Sequence, residues 1–296
     1  MKPALVQIIT LNWNRKADTL ACLQSLVALT YPRKHILVVD NGSTDGSPAA
    51  IAAAFPEVEQ IVNPVNLGFA GGFNLGLRWA LQGEAPYVFI LNNDTSLAPE
   101  ALDHLVAASV PPDVGVTAPI IYYAGAPDQI WSAGAGRSWL TLDATGNQGR
   151  GQTFTSPTER AFISGCGMLI KRVVLQQVGL FDEDFFVYYE DADYSLRVEQ
   201  AGYRMLVVPQ AKMWHKVSQS SQGSDSPGER YWMGRSSVLF FRKHVRGWRW
   251  WIVLPWRLGS AIKILFRLLI KGRRAAAQAY LKGLWDGARA ARPRQG

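Results

Sequence analysis

The sequence predicts an α/β fold, a mostly parallel sheet with flanking helices, followed by a helical tail of different character. Three observations carry that expectation. Short β-branched apolar runs alternate with segments of helical spacing over residues 4–120, the pattern of repeated βα units. Polar residues gather where the apolar runs end. Charge is divided unequally: residues 231–296 hold fifteen Lys and Arg and one acid, Asp286, a net +14, whereas residues 1–230 hold sixteen against 22 acids, a net −6. Nearly half of the 296 residues are apolar, enough core for one large domain or two modest ones.

The elements follow in order. "ALVQIIT" (Ala4–Thr10) is a short apolar run that reads as a strand, and "ADTLACLQSLVAL" has helical spacing. "HILVVD" (His35–Asp40) is β-branched and stops at a turn cluster. "TDGSPAAIAAAF" reads as a capped helix with Thr44 or Asp45 near its start. "VEQIV" is a third strand, "GGFNLGLRWAL" a helix, and "YVFILNND" (Tyr87–Asp94) a fourth strand. Residues 121–160 change character. Gly, Ser, Thr and aromatics interleave there, which predicts irregular strands and long loops in an antiparallel flap. "AFISGCGMLIKRVVLQQVG" returns to strand then helix, Glu190–Ala201 reads as helix, and "YRMLVVP" as a last strand. Gln210–Arg230 is polar and rich in Ser and Gly, which predicts a mobile stretch. Two domains are expected, 1–230 and 231–296.

A parallel α/β sheet binds its ligands beyond the carboxyl ends of the strands. Four successive strand ends here deliver polar groups to that edge: Asn12 and Asn14; Asp40, Asn41 and Asp45; Asn66, Gly68, Gly71 and Asn74; Asn92, Asn93 and Asp94. No GxGxxG follows the first strand and no P-loop occurs. A nucleotide would therefore be held differently. Asp40 can accept from a base N–H, and the glycines near Gly71 let backbone approach a ligand. Asp94, ending an apolar strand beside Asn92 and Asn93, suits a hard divalent cation, Mg²⁺ or Mn²⁺, whose shell substrate phosphates complete. His215, next to Trp214 in "MWHKV", offers a nitrogen ligand that Mn²⁺ accepts more readily. Spacing alone does not bring His215 to Asp94.

These motifs carry a family resemblance. "VDNGSTDGS", "NLGFAGGFN", "LNNDT", "SGCGMLI", "GLFDEDFFVYYEDADYSLRVEQAGYR" and "PQAKMWHKVS" occur in that order. Over residues 4–245 the chain resembles the GT-A fold, family 2 inverting glycosyltransferases, most closely their rhamnosyltransferase-like branch. The resemblance implies a Rossmann-like sheet and a nucleoside diphosphate sugar donor. It implies that Asp40 contacts the base and that Asn12 and the Gly68–Asn74 loop lie along the nucleotide. "LNNDT" would take the DXD position, with Asp94 as metal ligand and His215 as the second. Asp191 would be the catalytic base. The first acid of DXD is Asn92 here. A deoxyribose offers one hydroxyl fewer, which points to a thymidine diphosphate sugar.

In an inverting transfer, one carboxylate takes the acceptor hydroxyl proton as that oxygen attacks C1 opposite the leaving group. Glu190 and Asp193 would support Asp191. Glu190 would orient the acceptor or cap the helix, and Asp193 would pair with Arg197 four residues on. Phe185, Phe186, Tyr188 and Tyr189 would wall a sugar ring, or else pack in the core. Arg235 would reach the diphosphate or an acceptor phosphate, or else sit on a helix surface.

The tail decides the rest. "WRWWIVLPWRLGSAIKILFRLLIKGRR" is amphipathic but carries Arg257, Lys263, Arg267 and Pro255, against a membrane span. A helix lying in the interface fits, with tryptophans at headgroup depth and cations on an anionic membrane surface. A solvated basic helix packed on its own domain is the alternative. The expected function is transfer of rhamnose or a related deoxyhexose to a lipid-linked (polyprenyl diphosphate) glycan, by a peripheral, monotopic enzyme on the cytoplasmic face of the cell membrane. Two distant cysteines without metal spacing, and an N-terminus without a leader pattern, agree with that side. A non-catalytic nucleotide-sugar or glycan binding protein is the competing class. Nucleic acid is not the expected partner, because the tail is too apolar for a groove-tracking arm.

Overall fold

The computed structural model describes residues 3–217 and 225–291. Its elements in chain order are β1 (Val6–Asn12), α1 (Lys16–Val27), β2 (Lys34–Asn41), α2 (Ser47–Ala54), β3 (Glu59–Asn63), α3 (Gly68–Gln82), β4 (Tyr87–Asn92) and β5 (Thr95–Leu97). Then come α4 (Ala101–Ala108), β6 (Val114–Tyr123), β7 (Ala126–Ser132), β8 (Gly136–Arg137), β9 (Ala144–Thr145), β10 (Thr158–Glu159), β11 (Gly167–Lys171), α5 (Arg172–Val178), α6 (Glu190–Gln200) and β12 (Arg204–His215). The chain ends with α7 (Pro227–His244), α8 (Trp250–Ile270) and α9 (Arg274–Arg289). Contacts divide it into two compact units: Met1–Gly136 with Ala144–Asp182 and Asp191–Val217, and Arg137–Asp143 with Glu183–Glu190 and Ser218–Gly296.

The first unit is built on one mixed sheet. β3, β2, β1 and β4 are parallel neighbours in that order. β11 runs antiparallel between β4 and β6, and β12 is parallel to β6. The inner strands are buried on both faces, hence their continuous apolar runs. Residues of α1, α2 and α4 (Leu23, Leu26, Ile51, Leu102) form one core layer with Ile8 and Val38. Residues of α3, α5 and α6 (Phe73, Leu77, Val174, Tyr194) form the other with Ile9 and Val39. The sheet thus has helices on both faces. The flap expected over 121–160 is the antiparallel β6–β7 pair and the short strands after it.

Two expectations change here. Gln210–Arg230 is not one loop: Gln210–His215 continues β12 and Pro227–Arg230 opens α7, while 218–224 lie outside the described residues. The polar residues there misled because β12 alternates, with Gln210 and Lys212 exposed between buried Ala211 and Met213. The glycines of α3 serve packing. A Cβ at Gly72 would stand 2.6 Å from Leu11 Cδ1, and one at Gly76 would stand 2.6 Å from Ile9 Cγ2. The helix lies that close to the sheet only without those side chains.

In the second unit α7 packs on α9 through glycines on both helices: Gly234 faces the Tyr280 carbonyl, and Gly287 faces that of Arg235. α7 is capped from both sides. Ser226 Oγ accepts from the Glu229 N–H at 3.2 Å, and the Glu229 carboxylate accepts from the Asp225 N–H at 2.6 Å. No helix among the described residues is long and apolar enough to cross a membrane.

Candidate active site

The pair that sequence spacing could not join is joined by the sheet. β5 runs antiparallel to β12, with Thr95 opposite His215, and the Lys216 N–H donates to the Asp94 carbonyl at 3.0 Å. Asp94 Oδ1 stands 3.1 Å from His215 Nε2. Both residues are buried, 6% and 7% exposed, so their charges are only weakly screened. Trp131 lies edge-on to the imidazole at 4.6 Å between ring centres. Burial opposes charging of His215, but Cys166 and Asp94 outweigh it and raise its pKa from 6.5 to about 10. Burial also raises the Cys166 thiol. A divalent cation on the His215 Nε2 would have to displace a proton.

One carboxylate oxygen and one imidazole nitrogen are a donor set that fits a divalent cation, Mn²⁺ more readily than Mg²⁺. Among the described residues no cluster of three or more His, Cys, Asp or Glu could hold a metal by itself. A cation here would draw its remaining ligands from substrate phosphate and water.

Asp191 lies in the first turn of α6. Its Oδ1 accepts from the Ala192 N–H at 2.8 Å and its Oδ2 from the Gly165 N–H at 3.1 Å. Gly165 allows that approach, since a Cβ there would meet the Phe69 ring at 3.0 Å and Asp191 Cβ at 3.4 Å. The next residue, Cys166, accepts from the Asn92 N–H at 3.0 Å through its carbonyl. Asp94, His215 and Asp191 are all close enough to bear on the charge of the Cys166 thiol. The loop Ser164–Gly167 is therefore common to both: Asp191 takes the Gly165 N–H, and the Asp94–His215 pair lies near Cys166. Asp193 is separate: fully buried, it pairs with Arg197 at 2.8 Å, and Arg197 also donates to the Val178 and Leu180 carbonyls at 2.8 Å. The pair is an internal clamp and not a surface contact.

The strand-end residues sort into those tied within the fold and those that face outward. Asn12 is buried at a hub: its amide donates to Asp40 Oδ2 at 2.7 Å and Ser43 Oγ at 3.0 Å, and its oxygen accepts from Thr19 at 2.7 Å and Asn93 at 3.2 Å. Asp40 is fully buried and also holds the Ser43 N–H at 2.9 Å. Asn12 and Asp40 thus shape the loops at this edge. Asn74 is likewise tied within the fold. Its amide exchanges two bonds with the Phe181 backbone, at 2.8 and 3.0 Å. Gly71, expected to admit a ligand, is buried in α3 against its own Leu67 side chain.

Asn66 braces the left-handed start of α3, accepting from the Asn41 amide at 3.0 Å and the Gly68 N–H at 2.8 Å. Asn14 is exposed and accepts from the Thr44 N–H at 2.7 Å. Asn92 is partly buried at the end of β4. Sequence reasoning passed over Trp13, which stands exposed between Asn12 and Asn14 at the same sheet edge. Its signal was a large aromatic in a strand-end loop. Trp214 is partly buried, with its indole N–H toward the Pro127 carbonyl at 3.4 Å.

Of the residues expected to meet or support the acceptor, Glu190, Tyr189 and Arg235 belong to the second unit and Trp214 to the first. Glu190 is buried at the start of α6. Tyr188 and Tyr189 both have left-handed backbone, φ +66° and +69°, a strained pair of non-glycine residues. The Tyr189 ring packs against Phe240, Phe185 is fully buried, and Phe186 stacks on Trp232 at 4.4 Å. These three aromatics are packing residues rather than an open sugar wall. Arg235 donates to the Asp184 carbonyl at 2.8 Å and lies over the Trp232 ring, so its guanidinium is held by its own unit.

Comparison with known proteins settles the family. The model of glycosyl transferase family 2 matches residues 7–179. The chain belongs to that family. It is a glycosyltransferase. An N-acetylglucosaminyl-diphospho-decaprenol L-rhamnosyltransferase of Mycobacterium tuberculosis is 30% identical over 272 residues, 84% of this chain and 87% of the relative. A dTDP-rhamnosyl transferase of Shigella flexneri, RfbF, is 22% identical, covering 71% of each chain. Among solved structures, a mannosyltransferase of Pyrobaculum calidifontis in complex with GDP-Man and Mn²⁺ superposes with a TM-score of 0.59 at 18% identity, over 98% of this chain and 77% of that one. That likeness is one of fold, and it agrees with the GT-A architecture read from the sheet. As a member of this glycosyltransferase family, the chain is set apart from the competing non-catalytic class.

Proposed function

We propose that this family 2 glycosyltransferase transfers rhamnose or a related deoxyhexose, with inversion, from a thymidine diphosphate donor to a hydroxyl of a lipid-linked glycan. One observation carries the mechanism: Asp191 and the Asp94–His215 pair both lie against one loop, Ser164–Gly167. A base and a leaving-group site must lie on opposite sides of the anomeric carbon for in-line displacement. Asp191 is fixed by two backbone N–H groups and takes the acceptor proton as the C1–O bond forms. Asp94 and His215 would hold Mn²⁺ or Mg²⁺, which neutralises the departing diphosphate. Asn14, Asn66, Asn92 and the exposed ring of Trp13 edge the donor side, while the buried Asn12–Asp40–Asn93 network keeps their loops in place.

The rhamnosyltransferase relatives support the sugar, and the decaprenol-linked acceptor of one supports a polyprenyl diphosphate carrier. Such an acceptor would hold the reaction at a bilayer surface, on this reading the cytoplasmic face, with peripheral attachment through the helical tail, residues 231–296. The test is a thermal-shift screen with UDP-, dTDP- and GDP-sugars, with and without Mn²⁺ or Mg²⁺. Stabilisation by dTDP-sugars that requires the cation, and is lost in Asp94→Ala, is expected. Equal stabilisation of the variant, or a preference for another base, would overturn the donor and metal assignments separately.

A further inference from the structure

α8 is apolar on the side that its own unit leaves uncovered. Val253 and Leu268 are buried on one stripe. Trp251, Leu254, Leu258, Ile262, Phe266 and Leu269 recur every three or four residues elsewhere on the helix, and each is more than half exposed, Trp251 by 85%. A surface helix normally shows the reverse. Lys263 lies beside that stripe, Arg267 and Lys271 further round reach Asp225 at 2.7 and 3.7 Å, and no Asp or Glu occurs from Tyr231 to Trp285.

A second element lies against the start of α8. Residues 137–143 close into a tight loop, with the Ser138 N–H on the Asp143 carbonyl at 2.9 Å and the Leu142 N–H on the Ser138 carbonyl at 2.8 Å. Arg249 donates to the Trp139 carbonyl and, at 3.2 Å, to that of Leu140. The Trp256 indole donates to Asp143 Oδ2 at 2.6 Å, and Arg257 stands 3.5 Å from Oδ1. The loop is thereby fixed to the N-terminal end of α8. Its one acid is engaged by α8, and its Trp139 ring is left 72% exposed.

We infer that the uncovered stripe of α8, with Trp139, is a docking surface for an anionic phospholipid bilayer, in which the helix lies flat. Aromatic rings suit headgroup depth and cations suit lipid phosphate. A helix with cations and no acid would repel a second copy of itself, which favours lipid over self-association. The inference deepens the lipid-linked acceptor reading, but its test needs no turnover.

The full chain is sedimented with phosphatidylcholine vesicles, with and without phosphatidylglycerol. Binding only to the anionic vesicles is expected. Ile262→Asp with Phe266→Asp should weaken it at least roughly tenfold, Lys263→Glu about fivefold, and Trp139→Ala roughly tenfold. Circular dichroism and transfer to a short water-soluble acceptor should be unchanged in each, showing that fold and site survive. Failure of the wild-type chain to bind, or full binding by the double variant, would overturn the inference. Full binding by Trp139→Ala would remove the loop from it. A dimer abolished by the double variant, without vesicle binding, would assign the stripe to a second copy and overturn the lipid reading.

Discussion

Replacing Asp191 by Asn separates chemistry from folding, and the hydrogen bonds say by how much. Oδ1 takes the Ala192 N–H at 2.8 Å and Oδ2 the Gly165 N–H at 3.1 Å. An amide keeps the first bond, but its NH₂ then faces the Gly165 donor. One charge-assisted bond is lost, about 1–2 kcal/mol, which lowers Tm by a few degrees. Losing a general base costs roughly 10²–10⁴ in rate, about 3–5 kcal/mol of transition-state stabilisation. The variant should therefore be folded, bind donor like wild type by calorimetry, and show kcat reduced at least about a hundredfold. Asp193→Asn is the contrast. It leaves the Arg197 guanidinium without its buried anion, and costs roughly 3–5 kcal/mol of stability. Retention of more than roughly a tenth of kcat by Asp191→Asn would refute the base assignment. So would a loss of donor affinity in step with the loss of rate.

Three further outcomes follow from geometry. Asn74→Ala leaves the Phe181 N–H and carbonyl unpaired where they are buried, and should lower stability by about 2–4 kcal/mol in urea unfolding. Gly287→Ala puts a Cβ 2.7 Å from the Arg235 carbonyl, and should destabilise the α7–α9 packing by about 1–3 kcal/mol in a thermal melt. Asp45 has its pKa lowered below 3.8: desolvation is the largest single effect and raises it, but the hydrogen bonds from Ser47 and the Lys16 N–H together outweigh it. Its contribution is complete above pH 3.8 and is lost as pH falls through the lowered folded value. Asp45→Asn should therefore flatten acid unfolding in that window, its loss of stability appearing at neutral pH and vanishing once Asp45 is protonated.

The parts of this molecule that were legible in sequence are those whose physics is local. β1 to β4 and α1 to α3 lie where apolar period and turn residues put them, and α6 begins at Glu190 as its acids and spacing predicted. A strand-end asparagine shows only that a polar group reaches the edge. Whether that group faces a ligand depends on which neighbours from other strands meet it first. Asn12 meets Asp40, Ser43, Thr19 and Asn93, and none of those partners is marked by the spacing of its own segment. The Asp94–His215 contact was illegible for the same reason. It depends on β5, a three-residue strand with almost no periodic signal, pairing with the polar end of β12. The tail shows the limit from the other direction. Its composition raised the expectation of a membrane surface, but nothing in it pointed to Trp139, more than a hundred residues upstream, whose loop the Arg249, Trp256 and Arg257 contacts attach to α8. A motif names the chemistry a segment can perform, and the long-range hydrogen bonds decide which of its groups remain free to perform it.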